Sequence, residues 1–368
     1  MIISIMPTLF DYYFIYYLAM STIPSISELL KLSGSQYRVF DIGRKVDKLS
    51  KETFTKVEAN QLPYPFPSQG HAFLAITFWQ KQNSQPYLWF VKFPLDERGL
   101  LNLVARDHFI AIIIEALGAE LDTTPNEKQE ELLKGNPYHF TPPQYKLAYL
   151  NSLISVETNN KNSQYFSGAL SYLSGENNWQ DWQDVGVQGL NDFAVRLSEK
   201  PTQKILLNAL PNLPKPVLQP LCSALENVKL PVDVIDVLIA KFELNVIGKD
   251  SSHTAELSFL LRSLSSSCEH PHVVKFIHSL IKQPASDAFF SEEIAIVIAG
   301  RCWQVFRNEQ QIMTFFESLI AQQEIEVFQA IFKDLVAIPS LRPLIFQCMR
   351  SPNRSDELSK AIGMLFQR

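Results

Sequence analysis

NEQQIMTFFESLIAQ, residues 308–322, is the stretch that decides the fold class. Its apolar residues Ile312, Phe315, Phe316, Leu319 and Ile320 recur at the i, i+3, i+4, i+7 spacing that lines one face of an α-helix. Asn308 with Gln311 three residues on has the form of a capping box, in which side chains satisfy the free amides of a first helical turn. The same stripe returns at Phe166, Ala169, Leu170 and Leu173, and at Leu257, Leu260, Leu261 and Leu264. Pro201, Pro211, Pro214, Pro231, Pro284, Pro339 and Pro352 fall between stripes, where a missing amide costs no helical hydrogen bond, and Pro271 suits a first turn. Residues 143–368 are therefore expected to be helical throughout, in antiparallel pairs, without strands.

Working outward, the pairs are expected to start near residues 144, 180, 214, 252, 291 and 324, with a last helix near 354. The resulting spacing of about 30 to 39 residues lies at or just below that of helix-pair repeats. Irregular pairs of this kind resemble armadillo- or HEAT-type solenoids in degenerate form.

Residues 20–142 read as a small α+β domain, an antiparallel sheet with a covering helix. Ile26, Leu29, Leu30 and Leu32 suggest a short helix stopped at Gly34, and Tyr37 to Ile42 a strand. QLPYPFPSQG (61–70) cannot be helical. Two aromatic, β-branched runs follow, His71 to Trp79 and Pro86 to Phe93, separated by a polar segment, which predicts a β-hairpin. Leu100 to Leu117 then returns to a helical period. Residues 1–19 are apolar, but no Lys or Arg precedes Lys31, and Pro7 and Asp11 interrupt the run. They read as a leader outside the core, with Met20 as the natural start; the alternative is a membrane anchor.

A formal net charge of −5 with interspersed signs disfavours a nucleic-acid partner. Four separate cysteines, Cys222, Cys268, Cys302 and Cys348, have no metal-ligand spacing and read as small buried hydrophobes. Thirteen glycines contain no phosphate-binding pattern, and no nucleophile elbow or H-E-x-x-H is present. No cofactor and no metal are expected, and a small-molecule substrate is not indicated. His270 and His272 with His278 beyond read as a solvated helix start, because six residues of helix turn the side chains apart. Lys92 interrupts an apolar strand, and a string of Asp96, Glu97, Arg98, Arg106, Asp107 and His108 brackets the helix after it. Lys92, Asp96, Arg106 and His108 could line a polar cleft between the α+β domain and the array, which is the enzyme alternative. Trp179 and Trp182 stand in the polar stretch GENNWQDWQD, a setting that suits interface anchors as well as internal packing.

The stretches YPFPSQGHAFLAITFW, YLWFVKFPLDERGLL and ARDHFI resemble an uncharacterised bacterial family known only as a domain of unknown function, along most of the chain from about Met20. The resemblance implies a bacterial, cytoplasmic setting and carries no activity, ligand or catalytic residue. The reading that results is a non-catalytic interaction or adaptor protein, its helical array presenting a surface, with Trp179 and Trp182, to a protein partner of unknown identity.

Overall fold

The computed structural model describes residues 23–80, 83–117, 133, 135–247, 254–283 and 290–366; the leader read in residues 1–19 lies outside them. The chain divides into two units, Met1–Gly43 with Lys48–Thr141, and Arg44–Asp47 with Pro142–Arg368.

In the first unit the described elements run α1 (Ile26–Leu32), β1 (Gln36–Asp41), β2 (Asp47–Leu49), α2 (Lys51–Glu58), β3 (His71–Gln80), β4 (Asn83–Pro94) and α3 (Leu103–Leu117). The sheet order is β2-β1-β3-β4. β3 and β4 form the antiparallel hairpin expected from their aromatic runs, with Leu74 opposite Val91 and Phe73 opposite Lys92, and β1 lies antiparallel on the other side of β3. Because strand side chains alternate, one face collects Val39, Leu74, Ile76, Val91 and Phe93. Against it pack Leu29 of α1, Phe54 of α2, and Phe109 and Ile113 of α3. Each such buried side chain contributes about 1.5–3 kcal/mol relative to exposure.

α2 went unread in the sequence because KETFTKVE buries only Phe54 and Val57 among its apolar residues, too few for a stripe. Its start is set by Ser50, whose Oγ accepts from Thr53 N at 3.0 Å. Its last residue, Glu58, ties the helices together. The carboxylate accepts from Ile26 N (2.6 Å) and Ser27 N (3.1 Å) at the start of α1, and from Ser27 Oγ. Burial pushes the Glu58 carboxyl above its ordinary range, and these hydrogen bonds oppose the shift.

The second unit contains α4 (Gln144–Glu157), α5 (Phe166–Leu173), α6 (Val187–Ala194), α7 (Lys200–Ala209), α8 (Lys215–Leu225), α9 (Val232–Ile247) and α10 (Thr254–Ser263). It continues with α11 (Pro271–Ile281), α12 (Glu292–Arg301), α13 (Glu309–Gln322), α14 (Ile325–Ala337), α15 (Arg342–Arg350) and α16 (Asp356–Met364). From Pro142 onward its described residues contain no strand; Asp47 of Arg44–Asp47 opens β2. α8, α10, α12 and α14 begin within two residues of the expected pair starts. The expected start near 180 is displaced: residues 174–186 are non-helical and α6 begins at Val187. Most of the named prolines sit at helix ends. Pro220, however, lies inside α8, and Pro284 lies outside the described residues.

Asn308 caps α13 by accepting from Gln311 N at 3.0 Å. Gln311 reaches back one residue further than a regular capping box, to Arg307 N at 2.7 Å. The four cysteines are buried, and desolvation holds the Cys222 thiol up at about 12.

Helices two apart in sequence pack side by side. α4, α6, α8, α10, α12 and α14 form one continuous row, and α5, α7, α9, α11, α13 and α15 form a second.

Candidate functional site

The two tryptophans lie in the non-helical connection between α5 and α6. Gly175, at φ +77°, turns the chain out of α5, a left-handed position where a side chain is strained. The Trp179 indole lies over this glycine, 3.4 Å from where a Cβ would stand. Tyr172 meets the indole edge-on at 5.5 Å and donates its hydroxyl hydrogen to Trp179 O at 2.7 Å. Burial raises the Tyr172 hydroxyl above its ordinary range, and the neighbouring Asp181 carboxylate adds to the shift. Trp182 O accepts from Val185 N at 3.0 Å, closing the next turn.

Both indoles are half-buried, while Glu176, Asn177, Asn178, Gln180, Asp181, Gln183 and Asp184 around them are exposed. Tyr165, half-exposed, packs its ring on Gly186 at the end of the same connection. Residues 174–186 carry three carboxylates and no Lys or Arg. The corner is thus aromatic and acidic. Its base is rigid, because α5 and α6 approach so closely at Gly189 that a Cβ there would overlap Tyr165 O.

The four residues of the enzyme alternative are placed separately. Lys92 alternates with the core residues Val91 and Phe93, so its side chain leaves the sheet on the face opposite α3. Asp96 is exposed in a turn, accepting from Arg98 N (2.9 Å) and Leu100 N (2.8 Å), and these hydrogen bonds hold its carboxyl below the ordinary range. Arg106 is buried, and it donates to Glu58 O and to Asp107 Oδ1. His108, exposed, pairs with Tyr138 Oη at 3.1 Å. Arg106 and His108 lie two residues apart on α3, about 200° around the helix. The described contacts place Asp96 in a turn, Arg106 in a helix-capping network and His108 in a ring pair.

The histidines follow the helix-start reading. His270 caps α11, and His272 pairs with Asp236 at 2.6 Å. His278 points to Val305 O at 3.3 Å, and desolvation lowers its pKa. Among the described residues no group of three or more His, Cys, Asp or Glu could hold a metal ion.

Sequence reasoning missed a segment whose side chains and backbone bond to several helix ends of the second unit, Arg44–Asp47. These residues run along the first row of helices and meet one helix end after another. Arg44 grips Asp334 near the end of α14 through two hydrogen bonds to its carboxylate, 2.7 and 2.9 Å, and one to its backbone oxygen, 3.3 Å. Lys45 Nζ lies 3.5 Å from Ser265 O, beyond α10, and from Gln304 Oε1, beyond α12. Val46 N donates to Asn227 Oδ1, beyond α8, at 2.7 Å, and Asn227 O accepts from Tyr149 Oη of α4 at 3.1 Å.

Trp303 lies beneath both cations, 5.2 Å from the Arg44 guanidinium and 5.7 Å from Lys45 Nζ. Helix C-termini carry partial negative charge, so a basic segment across a row of them is electrostatically favoured. Arg262 and Arg301, in the last turns of α10 and α12, both reach the fully buried Glu226 Oε2, at 2.9 and 3.6 Å. Within GRKVDK no local signal marks the segment's burial.

The family model described as "Protein of unknown function (DUF3549)" matches residues 21–366. No curated protein and no solved structure matches the chain. Among the described residues no helix is long and apolar enough to cross a membrane. The chain belongs to the DUF3549 family.

Proposed function

We propose that this chain is a non-catalytic adaptor, its two helix rows a HEAT- or armadillo-like solenoid, which takes a protein partner at the α5–α6 corner. The observation that carries the reading is the setting of Trp179 and Trp182: half-buried indoles, one seated on a glycine, within an exposed and acidic connection. Tryptophans that keep exposed surface at a rigid position are the kind of group that dominates interface energetics. The surrounding carboxylates favour a partner segment bearing Lys or Arg, which could stack on the indoles and pair with Asp181 or Asp184. The Arg44–Asp47 segment supports the same view, since the array already holds two cations, Arg44 and Lys45, along its helix ends.

The test compares Trp179→Ala and Trp182→Ala for thermal stability and for retention of partners captured from native lysate and quantified by mass spectrometry. An anchor truncation costs about 2 kcal/mol or more, roughly thirtyfold in affinity, with the melting temperature little changed. A large fall in stability in both variants, with capture unaltered at temperatures where they remain folded, overturns the reading.

A further inference from the structure

Within the first unit, the edge of β4 opens into a pocket of about 330 Å³. Trp89 and Val91 belong to the sheet face that meets α3, and Phe90 to the opposite face, so the pocket wraps around the strand edge. Phe109 and Ile113 of α3 form its floor with Trp89. The Trp89 ring is fixed there, edge-on to Phe109 at 5.7 Å and 4.4 Å from Phe78.

The remaining wall is the segment around Asn136 and His139. It is held to the strand by Lys92 N donating to Tyr138 O at 2.8 Å and Phe140 N donating to Phe90 O at 3.3 Å. Asn136 is buried, and its Oδ1 already accepts from Tyr138 N at 2.9 Å. The amide NH₂ is therefore the group Asn136 can offer a ligand. His139 is exposed and adds a second polar group.

A concave, mainly apolar pocket with few polar groups is the usual form of a small-ligand site, and such sites begin near 300 Å³. A dry apolar cavity of about 150 Å³ accepts benzene, so about twice that volume accommodates two fused rings. Aromatic walls favour a flat ring, which can meet Trp89 and Phe109 offset or edge-on. We propose that this pocket binds one small planar aromatic molecule of about two fused rings that carries a hydrogen-bond acceptor, oriented by Asn136 and His139. The proposal is independent of the adaptor reading, since it concerns other residues and another kind of ligand.

The experiment is calorimetric titration of the full chain with 2-naphthoate, with ligand-free buffer as the blank and decanoate as the apolar, non-aromatic comparator. The expected result is saturable one-to-one binding of 2-naphthoate, at least tenfold tighter than decanoate. Leu88→Trp, which fills the pocket from its half-buried rim, should weaken binding at least tenfold; Leu133→Trp serves if that variant is unfolded by circular dichroism. His139→Ala should weaken 2-naphthoate severalfold while leaving the melting temperature unchanged. Absence of saturable binding at millimolar 2-naphthoate overturns the proposal. Decanoate binding as tightly overturns the aromatic assignment, and undiminished binding by the folded filling variant overturns the location.

Discussion

Replacing Arg44 with methionine tests whether the Arg44–Asp47 segment stabilises the second unit through its charges or only through packing. The Arg44 side chain is 3% exposed, and that of Asp334 is 34% exposed. Two charge-assisted hydrogen bonds join them, each worth about 1.5–3 kcal/mol in a buried setting. The third of Asp334 that meets solvent lowers this, because an exposed partner recovers hydration when the pair is broken. The unbranched methionine side chain would also keep part of the contact with Trp303. The net loss in Arg44→Met should be about 3 kcal/mol.

The reverse deletion, Asp334→Ala, leaves a buried guanidinium over Trp303 without its carboxylate, and should cost about 3–5 kcal/mol. The two substitutions are therefore expected to be unequal, with the more exposed partner the more damaging to lose. Urea unfolding followed by circular dichroism at about 222 nm measures both, and the double variant closes the cycle with a coupling of about 2 kcal/mol. For a unit of this size the Arg44→Met loss lowers the melting temperature by roughly 6–12 °C. Coupling below about 0.5 kcal/mol, or Asp334→Ala milder than Arg44→Met, would refute the electrostatic account.

Two further substitutions probe the close approach of α5 and α6 and the buried carboxyl of α2. Gly189→Ala drives a methyl into the Tyr165 carbonyl and to 2.8 Å from Ala169 Cβ, neither a flexible group. Despite the better helix propensity of Ala, it should destabilise by at least about 1–3 kcal/mol, read as a lowered melting temperature; an unchanged or raised value contradicts the packing described. Glu58→Gln tests the raised pKa. The folded carboxyl takes its proton above the ordinary value of 4.5, so its stabilising contribution is full below that pH and is lost as pH rises through the folded value. The melting temperature of the parent relative to Glu58→Gln should accordingly fall as pH rises from about 4.5. A difference that is flat or rises with pH contradicts the shift.

Much of the local structure was legible from the residues alone. The stripe Ile312, Phe315, Phe316 and Leu319 announces α13, and the aromatic runs at 71–79 and 86–93 announce the β3–β4 hairpin, because periodicity over a few residues is what selects helix or strand. Where the period is thin the reading failed. α2 is too polar to show a stripe, and the tryptophan-bearing connection, expected to open a helix near residue 180, stays non-helical until Val187. Tertiary structure alone decided which polar groups are buried. Arg44 and Lys45 look like any solvated pair of cations, and their burial depends on Asp334, Gln304 and Ser265, more than 200 residues away. The same holds for the Glu226–Arg262–Arg301 contact and the pocket at the β4 edge. Each exists because distant segments converge, and desolvation of a charge or an indole is set by that convergence, which no local pattern of residues encodes.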